Sequence, residues 1–444
     1  MKTISRLVFP VSRLANPVRA AGFRYLLCLM NAGGLVEPAE KQVYPCLGSR
    51  LLRIFAHMNH VIDKGMEKKY EVVYICHDVE RLGGAALSLM NLIHALREEV
   101  HPIVVLPGGA GEAVHDYFVA KGCECLTIPF VLNTTILPCF RTKVKFLPKF
   151  VCYHWHNGRL LRRLTTQLSG RPIRLVHSNS SVVTFGYHLA RRLGVPHVWH
   201  LREFQDRDFG VRPFCGWAEL KRKIYRSDAV IAISGAVYRH WQLEHACRAY
   251  CMTDAVRPAS DVAVCLDKEK YIVFCAAGLT DRKGTHWAVE AFAQSGLAAQ
   301  GYVLKLIGAC NLDYRKRLEA LAVQWKVDHA VEFVGFCADV RPYLLRATAF
   351  LMCSQDEGLG RVTVEAFFYG CPVVARNSGG TPEFVRHGVN GFLYNNVSEC
   401  AALLSRMPAQ NFARLADEAH RTAVEEFSEE AYARKLRPVY ALFL

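Results

Sequence analysis

The chain has 444 residues, 51% of them apolar, with 55 Lys and Arg against 40 Asp and Glu for a formal net charge of +15. That length allows two ordinary domains with extras, and the apolar content suffices for two cores. No apolar run is long enough to span a bilayer, and no zinc-finger, RNA-binding or dimeric basic-helix signature is present, so the charge points to phosphate-bearing ligands and an anionic membrane face, not nucleic acid.

The 17 cysteines are scattered singly, and the closest pair, Cys123 and Cys125, has no second pair at zinc-site spacing. No secretory signal is legible, so reduced, buried thiols in a cytoplasmic protein are expected.

Residues 1–68 differ from the rest. Arg6, Arg13, Arg19 and Arg24 alternate with apolar residues, and no acid precedes Glu37. The segment reads as an N-terminal extension. It is open between a targeting peptide, an interfacial amphipathic segment, an unstructured leader, and a mis-assigned start upstream of Met66.

From Glu71 the pattern is α/β. A strand over Val72–Ile75 leads through a glycine-bearing turn, His77–Gly84, into a helix over Ala85–Arg97 and a strand over His101–Leu106. Later strands are expected at Ile173–His177, His197–Leu201 and Ala229–Ile233. Strands alternating with helices predict a parallel, doubly wound sheet. Between them, Phe140–Arg171 mixes Lys143, Lys145, Lys149, Arg159, Arg162 and Arg163 with Phe146, Phe150, Tyr153 and Trp155. Two readings stand: a solvated helix with core aromatics, or a patch facing a membrane or acceptor.

A second α/β unit begins near Tyr271, with strands at Ile272–Ala276, Tyr302–Ile307 and Val331–Val334, a turn at Gly278–Gly284 and a helix from Thr285. Phe350–Cys353 precedes the most informative motif of the chain. The boundary falls in the polar, Pro-containing segment Thr253–Lys270, which gives domains at 69–260 and 261–427 and a last helix at 428–444.

Open parallel sheets bind ligands at the C-terminal ends of their strands, and the motifs fall there. Ser354-Gln-Asp-Glu-Gly-Leu-Gly-Arg-Val-Thr-Val-Glu365 and the Ala-Phe-Phe-Tyr-Gly-Cys-Pro-Val-Val that follows read as loop, short helix, turn and strand. Glu357 lies in the loop and Glu365 in the helix, with seven residues between them. Gly358 and Gly360 let backbone N–H groups approach an anion at the helix N-terminus. By itself the spacing also fits a surface helix with two solvated glutamates. Ala277-Gly-Leu-Thr-Asp-Arg-Lys283-Gly284 places two cations after a strand, suited to a diphosphate.

Together with Asn377-Ser-Gly-Gly-Thr-Pro-Glu383 and Asn390-Gly-Phe-Leu-Tyr394, these segments resemble the donor-site signature of family 4 glycosyltransferases. The resemblance runs from about residue 70 to the end and is strongest from Gly278 to Tyr394. It implies the GT-B fold: two facing Rossmann-like α/β domains with the ligand cleft between them. It implies that Glu365 binds the ribose of a nucleotide-diphosphate sugar, Glu357 holds the donor sugar, and the N–H groups of Gly358, Leu359, Gly360, Arg361 and Val362 meet the diphosphate, with Thr363 adding a hydroxyl. Lys283 stands on the family lysine. The position that usually holds Arg is Gly278, so Arg282 is expected to share the phosphate role. Protein cations and a helix N-terminus then stabilise the leaving diphosphate, and neither metal nor cofactor is required.

In the first domain, Gly83 and Gly84 read either as an ordinary βα turn or as a close approach to ligand. Leu175-Val-His-Ser-Asn179-Ser-Ser181 and Pro196-His-Val-Trp-His200-Leu-Arg202-Glu203 resemble acceptor-side segments of the family. Many relatives have a His-Asp pair where Arg202 and Glu203 stand. Asn179, His200, Arg202 and Glu203 are therefore expected in the cleft, with His200 grouped with Glu357, Lys283 and Arg282 as catalytic.

The function implied is retaining transfer of a sugar to a glycan or lipid-linked acceptor in bacterial surface-polysaccharide synthesis, in the cytoplasm or peripherally on the inner face of the plasma membrane. The rival is a non-catalytic sugar-nucleotide-binding partner subunit, favoured by the changed Arg position and the missing His-Asp pair. A dehydrogenase is disfavoured by the lack of a Gly-x-Gly-x-x-Gly fingerprint.

Overall fold

A computed structural model describes residues 69–78, 82–108, 112–136 and 146–444. The reading of residues 1–68 and the roles of Lys143 and Lys145 lie outside the described residues.

Nine strands belong to the first domain: β1 Tyr70–Ile75, β2 Val100–Pro107, β3 Glu124–Ile128, β4 Thr135–Ile136, β5 Ile173–Ser178, β6 His197–Leu201, β7 Val211–Arg212, β8 Ala229–Ala232 and β9 Ala249–Cys251. Seven of them form one sheet in the order β3-β2-β1-β5-β6-β8-β9, and β4 pairs with β7 as a two-stranded antiparallel ribbon. The second domain holds β10 Glu269–Gly278, β11 Val303–Ala309, β12 Val331–Gly335, β13 Ala347–Met352, β14 Val373–Arg376 and β15 Phe392–Tyr394, ordered β12-β11-β10-β13-β14-β15. All pairings in both large sheets are parallel.

The local sequence explains why. A parallel strand covered by helices on both faces needs apolar residues on both sides, so its sequence runs instead of alternating. Val72, Val73, Tyr74 and Ile75 are all fully buried. Val73 sits beside Ile103 and Val176 in the two neighbouring strands. In each sheet the first strand in sequence is central, and the order reverses around it. That reversal opens a crevice at the strand C-termini.

Both domains belong to one compact unit, Lys69–Leu444. The chain crosses between them twice, side by side. Val256 N donates to Phe427 O at 2.9 Å, and Glu429 N donates to Arg257 O at 3.1 Å. Ser428 then caps the helix Glu429–Tyr440, its hydroxyl accepting from Ala431 N. Tyr432, Leu436 and Tyr440 of that helix pack in the first-domain core with Val72 and Leu89.

Candidate active site

The donor half is built on the ends of β10 and β13. After β13 the loop turns at Gly360, whose φ of 79° precedes the helix Arg361–Phe368. Gly379, at φ 62°, lies so close beneath the loop that a Cβ would sit 2.4 Å from Glu357 O. Gly380 N donates to that same carbonyl at 2.8 Å. The Asn377-Ser-Gly-Gly segment therefore braces the backbone that presents Glu357.

Lys283 Nζ donates to Glu357 Oε2 at 2.9 Å. Glu357 raises the Lys283 ammonium above its ordinary range, against partial desolvation. Glu365 is 8% exposed. Burial raises its carboxyl, with Arg361 and Arg257 opposing. Among the described residues the carboxylate of Glu365 accepts no hydrogen bond; Arg257 Nη2 lies 3.6 Å away. Thr363 Oγ1 is buried at the start of the same helix without a partner. Buried polar atoms are seldom left so. The reading of Glu365 as a solvated surface residue is excluded by its burial.

Arg361 goes elsewhere. Its side chain runs to the first domain, where Nη1 donates to Ser88 Oγ at 2.8 Å and to Ala255 O at 3.1 Å. Gly84 permits this, since a Cβ there would lie 3.3 Å from Arg361 Cδ, while a Cβ on Gly83 would meet Asp78 Oδ1 at 2.7 Å. A Cβ on Gly358 would lie 2.6 Å from Arg202 O, so the glycine loop rests on the end of β6. Leu359 is buried in the core that spans both domains. Glu383 completes the closure: its carboxylate accepts from Gly235 N at 2.7 Å and Ala236 N at 2.6 Å, at the start of a first-domain helix.

Four expected cleft residues lie deeper than the sequence suggests. His200 is fully buried, with its ring 5.5 Å from that of His177. Burial, then the Arg202 charge, pushes its pKa well down, so the imidazole is neutral. Its side chain does not reach the cleft: both faces of β6 are covered, and the ring is enclosed beside His177 and Asp254. Arg202 pairs with Asp254, and its Nε donates to Asn179 Oδ1 at 2.9 Å. Asn179 Nδ2 donates to Ala85 O at 3.0 Å. Glu203 Oε1 accepts from both the N–H and the hydroxyl of Ser181, each at 2.6 Å. These groups set the shape of the first-domain strand ends, and the Arg202 carbonyl lies against Gly358 of the donor loop.

The structure adds residues that the motifs did not name. Gln205, at φ 77°, turns the chain after β6. Such a conformation costs roughly 1–3 kcal/mol and calls for support. Asp208 supplies it, accepting from Phe204 N at 2.9 Å and Gln205 N at 2.7 Å. Burial and then Glu203 raise the Asp208 carboxyl to about 7. With the acid turned inward, Arg207 faces the cleft and lines two adjoining cavities. One, of about 370 Å³, lies between Phe204, Arg239 and His240 on one side and Asp356 and Gly379 on the other. The second, of about 170 Å³, is shared with Lys283, Arg282, Asp208 and Arg376. The signal was present in Gln205-Asp-Arg-Asp208, a dense charge run directly after a strand.

Residues 83–247 match the family model described as glycosyl transferase 4-like domain, and residues 257–407 match that of glycosyl transferases group 1. The chain belongs to the family 4 type of glycosyltransferases with the GT-B fold. It is 34% identical over 164 residues to the lipopolysaccharide core biosynthesis glycosyltransferase LpsE of Rhizobium meliloti, covering 36% of this chain and 46% of LpsE. It is 31% identical over 173 residues to the putative colanic acid biosynthesis glycosyltransferase WcaL of Salmonella typhimurium, covering 36% and 42%. The matches thus span less than half of either relative. The crystal structure of Anabaena HepE in complex with UDP superposes with a TM-score of 0.69 at 19% identity, covering 84% of this chain and all of HepE. At that identity the likeness is one of fold.

In this chain, Gly278 ends β10 without a side chain to offer. Arg282 reaches the opposite wall instead, where a Cβ on Gly210 would lie 2.1 Å from its Nη2. The shifted arginine therefore spans the cleft beside Lys283.

Proposed function

We propose that this chain transfers a sugar from a nucleotide-diphosphate sugar to a glycan or lipid-linked acceptor, with retention of configuration, in cell-surface polysaccharide synthesis. The observation that carries the reading is the unfilled polar set at the helix Arg361–Phe368. Glu365 is buried and accepts no hydrogen bond among the described residues, and Thr363 Oγ1, in the first turn of that helix, is buried without a partner. Two ribose hydroxyls would give Glu365 the donors it lacks.

On this reading the diphosphate lies against the N–H groups from Gly358 to Val362. Lys283 and Arg282 take up the charge that grows on it as the glycosidic bond breaks. Glu357 accepts from hydroxyls of the donor sugar. No carboxylate is assigned as a nucleophile, so the retaining step proceeds on one face, with the departing phosphate taking the proton of the acceptor hydroxyl as the new glycosidic bond forms. His200, neutral and enclosed, takes no proton. The larger cavity, within the size range of small-molecule sites, receives the acceptor. Leaving-group stabilisation falls to protein cations, so turnover should survive EDTA.

The reading includes peripheral contact with an anionic membrane face on the cytoplasmic side. Its support is the helix Phe146–Leu168, which carries no acidic residue, exposes Val151 and Trp155, and exposes Arg159, Arg162 and Arg163. No helix among the described residues is long and apolar enough to cross a membrane.

The test is nucleoside diphosphate release from a panel of nucleotide sugars, with lipid-linked acceptors. One donor should turn over, and Glu365→Ala should weaken its binding. Tight donor binding with no turnover on any acceptor would favour a binding subunit.

A further inference from the structure

Glu365 is held from outside its own domain. Arg257, its ion-pair partner, belongs to neither large sheet but to the linker between β9 and β10. Its carbonyl accepts from Glu429 N at 3.1 Å, where the chain crosses back. The backbone is thus fixed at the double crossing while the side chain reaches into the donor site.

That side chain makes no close bond. Nη2 is 3.6 Å from Glu365 Oε1, Nε is 3.7 Å from Asp261 Oδ2, and the Tyr369 ring centroid lies 5.9 Å from Cζ. Nε is buried with no hydrogen-bond partner. Distances beyond 3.5 Å are charge contacts, not hydrogen bonds. Asp261 has other partners, Arg341 Nη1 at 3.1 Å and the Tyr369 hydroxyl at 3.2 Å. Arg361, whose charge lowers the Glu365 carboxyl more than that of Arg257, turns Nη1 and Nη2 to Ser88, Ala255 and Val256. The guanidinium within ion-pair distance of Glu365 is that of Arg257.

We propose that Arg257 is a positioning residue for Glu365, holding the donor-binding carboxylate from the interdomain linker so that the nucleotide site is complete only when linker and donor domain are docked. The inference rests on the reading of Glu365 as the ribose ligand. The groups that face Glu365 are Arg257, Arg361, Asp261, Asp339, Cys275 and Tyr369. Two of them are cations: Arg361 has the larger effect on the carboxyl, and Arg257 is the one in ion-pair range. Removing Arg257 leaves a buried carboxylate that protonates more readily, so donor binding fails at a higher pH as the solution is acidified.

The experiment is calorimetric binding of UDP, GDP and ADP to the full chain from about pH 4 to 8, upward from the ordinary glutamate range. The variants are Arg257→Gln, Arg257→Lys, Glu365→Gln and the double Arg257→Gln/Glu365→Gln. Arg257→Gln should weaken binding roughly tenfold near pH 6, within the usual range for coupled groups, and less near pH 8. Its acidic limb should move to higher pH, with Arg257→Lys between it and the parent. On the Glu365→Gln background, Arg257→Gln should cost little more. An unmoved limb in both Arg257 variants, or additive losses in the double, overturns the proposal while the ribose reading stands. If Arg257→Gln does not fold, the Lys variant decides by the same limb. Unchanged binding in Glu365→Gln, or no nucleotide bound by the parent, removes the ribose reading and this proposal with it.

Discussion

Lys283 and Glu357 stand 74 residues apart in the chain and meet at 2.9 Å in the cleft, one at the end of β10 and the other after β13. Both residues lie in loops beyond their strands, so the pair ties the two loops together. An ammonium held by one carboxylate is ready to turn to an incoming diphosphate. Lys283→Met should lower kcat/KM by roughly 10²–10³-fold, the size expected for a preorganised charge on a leaving group. Lys283→Arg should recover part of it, both read from nucleoside diphosphate release.

Glu383 joins the domains by a different means. Its two oxygens take the N–H groups of Gly235 and Ala236, and Arg239 Nη2 lies 3.3 Å away. Glu383→Gln loses a charge-assisted acceptor, worth about 1–3 kcal/mol of closure. Small-angle scattering should show a more open particle, and the donor KM should rise.

Asp254 has a structural task. Arg202 is buried against it, and desolvation lowers the guanidinium to about 10, still charged at neutral pH. Asp254→Ala leaves that charge unpaired and should destabilise the fold by about 3–5 kcal/mol in denaturant unfolding. His200→Gln, by contrast, should lower the melting temperature while the folded fraction keeps its kcat.

Asp208 makes stability depend on pH. Its folded pKa of about 7 exceeds the ordinary 3.8, so the folded state holds a proton that the unfolded chain has lost. Its contribution is complete below the ordinary value and declines as pH rises to about 7. The melting temperature of Asp208→Asn relative to the parent should rise from about pH 4 to 7 and stay level above.

The donor half was legible because its residues are close in sequence. Strand, glycine turn, cation pair and the Glu357 to Glu365 loop-helix follow local rules of periodicity, turn chemistry and helix starts. Lys283 and Glu357 meet in the cleft, and Glu365 lies in the helix that follows, as those rules placed them. His200, Arg202, Glu203 and Asn179 were placed at a strand end, where the rules are silent about depth. Arg207 and Asp208 went unnamed because nothing local shows which of two adjacent charges faces inward.

The sequence by itself determined the two doubly wound sheets, the linker region, the donor-side motifs and the family. The sheets and linker depend on hydrophobic period and turn residues, which act over a few positions, and the family rests on the resemblance of the donor-side motifs. Tertiary structure decided the rest: that Arg202 finds Asp254, that Arg361 crosses to Ser88, 273 residues away, and that Glu365 is served from the linker. Burial and charge pairing depend on which distant segments meet, and that is known only once the chain is folded.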